Sequence, residues 1–197
     1  MTMQKQFITA DELLLDSFKL AEQIYLRGYR PNFIIGVWRG GTPVGIVVQE
    51  FLDYMGVQSD HFAIRTASYT GIDEQLDTVQ VLGLEYVVEN LHAEQELLIV
   101  DDVFDSGRSI RAIIEQLHIR CGQRLPKSIK VACPWFKPSR NVTSIKPNYF
   151  VHATDKWLVF PHELHGLSLD EVVAGKGPYI AETLRRALSH KYSSEYE

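Results

Sequence analysis

Cysteine is scarce: the 197 residues hold only two, Cys121 and Cys133, with neither a C-x-x-C pair nor a metal-ligand spacing. This excludes a disulfide scaffold and a cysteine-built zinc site, and it suits a reducing, cytoplasmic compartment. No apolar run approaches the roughly 20 residues that a membrane-spanning helix needs. The opening MTMQKQFITADELLLDSF has neither an unbroken apolar core nor a small-residue cleavage site, so a soluble protein with no membrane partner is expected. Basic residues are also in deficit, 20 Lys and Arg against 25 Asp and Glu, for a net charge of -5. That excludes a general nucleic-acid binder, whose phosphate contacts need clustered Lys and Arg. A small anionic ligand in a local pocket stays compatible. Repeats, low-complexity tracts and evident linkers are missing too. What is present, 45% hydrophobic and 23% charged residues, suits one globular α/β domain spanning residues 1–197.

Helix and strand signals alternate along the chain. In TADELLLDSFKLAEQIYLRG, Thr9 can cap a helix on which Leu13, Leu14, Phe18, Ala21, Ile24 and Tyr25 recur at helical spacing before Gly28 ends it. NFIIGVW reads as a buried strand. TPVGIVVQEFLDYMG reads as a helix with Thr42 as cap, Pro43 first and Gly56 as terminator. HFAIRTA, ELLIVDD, SIKVACPWF and NYFVHAT read as strands, SGRSIRAIIEQLHIR as a turn into a helix, and PYIAETLRRALSH as a last helix. SYTGIDEQLDTVQ reads as a long polar loop, and the periodicity of QVLGLEYVVENL is mixed. Strands separated by helices predict a mainly parallel central sheet flanked by helices, with ligands beyond the carboxyl ends of its strands.

Two segments run from strand through a glycine-containing loop into a helix: IIGVWRGGTPVG and LLIVDDVFDSGRSI. A helix N-terminus offers free N–H groups and partial positive charge, which suit phosphate. Gly36 and Gly41 have the spacing of a nucleotide P-loop, but Thr42-Pro43 stand where Lys-Ser/Thr belongs, and G-x-G-x-x-G is absent. Adjacent Asp101 and Asp102 beside phosphate donors suggest instead a ligand with phosphates and a cis-diol. Ribose hydroxyls would donate to the carboxylates, and Mg²⁺ could relieve their repulsion.

VDDVFDSGRS resembles the signature of the type I phosphoribosyltransferases: a strand, two acidic residues, two variable positions, a fifth position, then Thr/Ser-Gly-x-Thr/Ser. The resemblance implies an α/β fold with a small hood formed by chain-terminal and C-terminal-half segments. It implies that Ser106, Gly107, Arg108 and Ser109 hold the 5-phosphate of phosphoribosyl pyrophosphate, and that Asp101 and Asp102 hold the ribose diol and its magnesium. GVWRGGTPVG is similar to the family's pyrophosphate loop, often marked by a cis peptide, which here would be Trp38-Arg39, with Arg39 and Gly40 facing pyrophosphate. TASYTG resembles the mobile catalytic loop, whose counterparts here are Ser68 and Tyr69.

The fifth position is Asp105. In 6-oxopurine members of the family an aspartate there lies near purine N7, where it can share a proton as the base attacks the ribose; DSGR also permits Asp105 to cap the helix. WFKPSRN resembles the strand end of the xanthine–guanine enzymes, implying that Lys137 donates to the 6-oxo group. NYFVHATDKWLVFPHE resembles their closing segment, implying that Trp157 stacks on the purine and Leu158 meets its edge through backbone groups. The resemblance therefore implies a Mg²⁺-dependent salvage enzyme, a homo-oligomer (dimer or tetramer), acting on a purine base and phosphoribosyl pyrophosphate. Its rivals are a regulatory or RNA-binding homologue that senses the donor, and an adenine or pyrimidine enzyme. Asp105 disfavours both, the negative net charge also counts against the first, and Lys137 against the second. The longer N-terminal helix, the segments around LEYVVENLHAEQ and HIRCGQRLPKS, and His162-Glu163 after the proline depart from the compact enzymes. HELH at His162 to His165 is one residue short of a zinc motif and follows a proline. NVT at Asn141 has no force as a glycosylation acceptor in a cytoplasmic protein.

Overall fold

The computed structural model describes residues 5–69 and 78–193. Its chain divides into two compact units, one of Leu13–Asp155 and a smaller one formed by the segments up to Glu12 and from Lys156 onward.

In the larger unit the predicted strands are β2 (Phe33–Trp38), β3 (Asp60–Tyr69), β5 (Glu96–Val100), β7 (Ser128–Phe136) and β8 (Tyr149–Ala153). The sheet runs β4-β3-β2-β5-β7-β6, with β8 on β7, where β4 is Thr78–Leu82 and β6 is Val103–Phe104. Every pairing is parallel except β3–β4. The central strands read as continuous apolar runs because both faces are covered. Leu97 and Ile99 join Phe33, Ile35, Val37 and Ile64 in one core. Helices α3 (Glu85–Asn90) and α4 (Arg108–Cys121) close that face with Val87, Ile110, Ile113 and Leu117. Ile34, Leu98 and Val100, equally buried, alternate to the other face, where α2 (Gly41–Tyr54) packs against β2.

Helix α1 (Ala10–Leu26) begins as its sequence predicts. The Glu12 amide donates to Thr9 Oγ1 at 3.1 Å, and Glu12 Oε2 accepts from the Thr9 amide at 2.7 Å, a reciprocal cap. Helix α2 does not follow the prediction. Its cap is Gly40, without a side-chain bond, and the Thr42 hydroxyl is buried with no partner. The first helical residue, Gly41, lies against the main chain of Val100 and Asp101, where no side chain fits. The predicted loop from Ser68 to Gln80 is also corrected: Ser68 and Tyr69 end β3, and Thr78 to Gln80 begin β4. The intervening part of that segment lies outside the described residues. QVLGLEYVVENL resolves into the end of β4, a turn at Gly83 (φ 83°) and α3.

The smaller unit joins both ends of the chain, as the resemblance implied for the hood. Strand β1 (Lys5–Phe7) pairs in parallel with β9 (Trp157–Val159), followed by α5 (Leu169–Lys176) and α6 (Pro178–Ser193). The cap of α5 is a reciprocal Ser168–Glu171 pair, the S-x-x-E signal of SLDE. The Lys176 ammonium donates to the Phe160 and Pro161 carbonyls at 2.7 and 3.1 Å and ties this helix to the segment after β9. No described helix is long and apolar enough to cross a membrane.

Candidate active site

Strand register assembles the site at the carboxyl ends of β2, β5 and β7. Gly36 pairs with Val100, so the Arg39-Gly40-Gly41 turn after β2 lies beside the Asp101-Asp102 pair after β5. The two segments are in close contact, since a Cβ on Gly40 would strike the Asp102 carboxylate. The Trp38-Arg39 peptide is cis, and the Arg39 side chain is exposed.

Asp102 is buried, with 8% of its surface exposed, and its Oδ1 accepts from the Val103 amide at 2.8 Å. Asp101 Oδ1 accepts from the Asp102 amide at 3.0 Å. Lost hydration, and then the neighbouring Asp102 charge, hold the Asp101 carboxyl well above the usual carboxylate range. Two crowded carboxylates of this kind fit a divalent cation. Among the described residues no group of three or more His, Cys, Asp or Glu surrounds a point. The fit is therefore to the magnesium mode in which one or two carboxylates share the ion with substrate oxygens and water.

Gly40→Ala checks this packing. Gly40 has ordinary helical dihedrals (φ -69°, ψ -31°), so alanine costs the backbone little, and its methyl must displace Asp102. Turnover is expected to fall by about 10²-fold or more, as for misplaced reactants, and the melting temperature to fall with it, because overpacking a buried site costs about 1–3 kcal/mol. Unchanged kinetics would separate Asp102 from the reaction.

The turn after β6 holds the predicted phosphate loop. Gly107 is left-handed (φ 77°) and caps α4 with no side-chain bond, so Asp105 is not the cap that DSGR permitted. A cavity of about 70 Å³ is lined here by Asp101, Asp105, Ser106, Gly107 and Ser109. Ser106, Arg108 and Ser109 are all partly exposed. The loop is buttressed from behind by residues that the sequence reading missed. The Ser106 carbonyl accepts from the Val142 amide at 3.1 Å. Asn141 Oδ1 accepts from the Thr143 amide and hydroxyl, each at 2.9 Å, and its Nδ2 donates to the Ile145 carbonyl at 2.8 Å. The NVT triplet is thus a local brace.

Register also brings Asp105 to Lys137. Strands β6 and β7 pair Val103 with Trp135 and Phe104 with Phe136, and the Lys137 amide donates to the Phe104 carbonyl at 2.9 Å. The residues just beyond then face one another, with Lys137 Nζ 2.9 Å from Asp105 Oδ2. Lys137 is 5% exposed, so it is not a surface lysine. Arg140 Nε bonds the other carboxylate oxygen, Oδ1, at 2.8 Å. Nothing local in KPSRN announces that contact beyond a second cation one turn after the first.

The remaining predicted residues belong to other elements. Ser68 and Tyr69 pair with Val79 and Thr78 at the end of β3. Trp157 and Leu158 belong to the smaller unit. Trp157 is 46% exposed and Leu158 is buried. The Val159 carbonyl accepts from the Ile8 amide at 2.9 Å, so strand alternation turns the Leu158 N–H and C=O to the edge away from β1.

Comparison with known proteins agrees with this geometry. A family model described as the phosphoribosyl transferase domain matches residues 4–168. The hypoxanthine-guanine phosphoribosyltransferase of Lactococcus lactis is 23% identical over 150 residues, 75% of each chain. A solved purine phosphoribosyltransferase from Pyrococcus horikoshii is 30% identical, with a TM-score of 0.66, covering 83% of this chain and 97% of its own. A Neisseria gonorrhoeae structure, 23% identical and covering 90% and 99%, shares the fold at a TM-score of 0.70.

Proposed function

Given that the chain belongs to the phosphoribosyl transferase family, we propose that it is a purine-salvage enzyme joining hypoxanthine, guanine or xanthine to phosphoribosyl pyrophosphate. The products would be the nucleoside 5′-monophosphate and pyrophosphate. The observation that carries this reading is the Asp105–Lys137 pair at 2.9 Å. On a 6-oxopurine, O6 and N7 are neighbours on one edge, and an ammonium beside a carboxylate complements an oxo acceptor beside an N7–H donor. Adenine presents a 6-amino donor to that ammonium. Two relatives named for hypoxanthine-guanine and purine transfer support the same assignment.

The chemistry follows from the residues present. A carboxylate opposite N7 favours the tautomer with its proton on N7, which leaves the N9 lone pair free. N9 bonds to C1 of the ribose while the C1–O bond to pyrophosphate breaks, its electron pair leaving with pyrophosphate. The N7 proton passes to Asp105. Arg39, exposed in the loop after β2, supplies a planar donor fork for the departing group. Ser106, Arg108 and Ser109, with the amides opening α4, would take the 5-phosphate. Asp101 and Asp102 would accept from the ribose hydroxyls and hold Mg²⁺, which supplies charge neutralisation to the pyrophosphate when bound. Ser68 and Tyr69 are the proposed closing residues over that group. A regulatory or RNA-binding role is disfavoured by Asp105 and by the net charge of -5.

The test is a substrate panel with phosphoribosyl pyrophosphate, with and without magnesium. One or more 6-oxopurines should turn over, and adenine at least about 10²-fold more slowly, because a hydrogen-bonding site rejects a mismatched group strongly. Equal use of adenine would overturn the base assignment. Trp157→Ala addresses the proposed stacking. Purine KM should rise about tenfold, within the range of base–aromatic stacking, with donor KM near normal. A parallel rise in both constants would remove Trp157 from base recognition.

A further inference from the structure

Asp105 carries two cations. Lys137 holds Oδ2 from a buried position, and Arg140 holds Oδ1 from a half-exposed one, its side chain 46% exposed. They come from one short turn. The Arg140 amide donates to the Lys137 carbonyl at 3.2 Å, and the 3-10 helix Pro138–Arg140 closes between them. Pro138 fixes the backbone just after Lys137, so the turn aims both side chains at the same carboxylate.

From this we infer that Arg140 is a positioning residue for the base-transfer step, acting through Asp105. The inference rests on the proposed reaction and adds to it a residue that the family signature does not contain. A carboxylate bonded at one oxygen can swing about its terminal torsion, which is broad and soft. Bonded at both oxygens by cations fixed in the same turn, it keeps one plane. Lys137 cannot do this alone, because in the proposed complex its ammonium is shared with the purine 6-oxo group and its hold on Oδ2 weakens. Among the described residues no other side-chain bond of Arg140 competes with the one to Oδ1. The orientation of the proton acceptor then survives arrival of the base, and positioning of this kind acts on turnover rather than on donor binding. As a half-exposed ion pair, the contact adds little to folding, so its consequence is kinetic.

A double-mutant cycle tests the idea. Arg140→Ala should lower kcat for a 6-oxopurine about tenfold, within the coupling range of contacting residues, with KM for phosphoribosyl pyrophosphate and the melting temperature near wild type. Arg140→Lys, which can still reach a carboxylate, should recover part of the loss. In an Asp105→Asn background, Arg140→Ala should cost almost nothing further. Arg140→Met keeps the aliphatic stem and serves if the alanine variant melts early. An unchanged kcat in Arg140→Ala, or a loss that multiplies fully with that of Asp105→Asn, would overturn the positioning role. If Asp105→Asn alone leaves turnover intact, or no 6-oxopurine is used by the wild type, the proposed reaction fails instead.

Discussion

Asp105→Asn lowers 6-oxopurine turnover by about 10²–10⁴-fold, the span that positioned proton transfer contributes, and leaves KM for phosphoribosyl pyrophosphate near its wild-type value. The amide keeps the shape of the side chain but cannot take the N7 proton, and its NH₂ can face N7–H as donor against donor. Donor binding should be spared because the 5-phosphate and diol groups, Ser106 to Ser109 with Asp101 and Asp102, are left unaltered. Folding bears a smaller cost. Breaking a fully buried ion pair costs about 3–5 kcal/mol, but the Asp105 side chain is 34% exposed and water can reach the Lys137 ammonium from that side. The variant should fold with a lower melting temperature and remain assayable. Steady-state kinetics with base and donor varied separately make the check. A helix cap would lose stability without this kinetic signature, and equal losses in base and donor parameters would remove Asp105 from the chemistry of the base.

The parts of this site legible in the sequence are those built from neighbours along the chain. VDDVFDSGRS carries its own strand end, turn glycine and helix start, so the acidic pair and the phosphate loop are found where the motif puts them. The Thr9–Glu12 cap of α1 is legible for the same reason: both partners lie within one turn. Tertiary contacts were harder to read. Thr42-Pro43 satisfies the local rule for a helix start, yet α2 begins at Gly41, where the backbone is pressed against Val100 and Asp101 and a side chain has no room. Strand β6 has two residues, too few for any periodicity, and it is its register with β7 that joins Asp105 to Lys137. The resemblance anticipated their shared task, but not their direct bond. Arg140 reaches Asp105 through that same register, whereas the Asn141–Thr143 brace is local in its own bonds and meets the phosphate loop through the Val142 amide. The β3–β4 hairpin was obscured by composition, since Ser68, Tyr69, Thr78 and Gln80 are polar or amphipathic residues on an edge where strands need no continuous apolar run.

Gly107→Ala is expected to damage both stability and donor binding, for reasons that can be separated. At φ 77° a residue with a Cβ pays about 1–2 kcal/mol for the left-handed conformation alone. Its Cβ would also stand 2.5 Å from Thr143 Oγ1 and 2.9 Å from both Asn141 Oδ1 and Phe104 Cε1. Asn141 and Thr143 are bonded to each other, and Phe104 is buried in the core, so none of the three can withdraw freely. The loop must therefore shift, and the serines and amides proposed to grip the 5-phosphate shift with it. The melting temperature should fall, and KM for phosphoribosyl pyrophosphate should rise by about 10²-fold, the scale of a misplacement near 1 Å. Adding Thr143→Ala removes the closest contact but not the strain at φ, so it should restore some stability and little donor affinity. If instead Gly107→Ala melts and binds donor as wild type does, the tight turn after Asp105 is not where the phosphate is held.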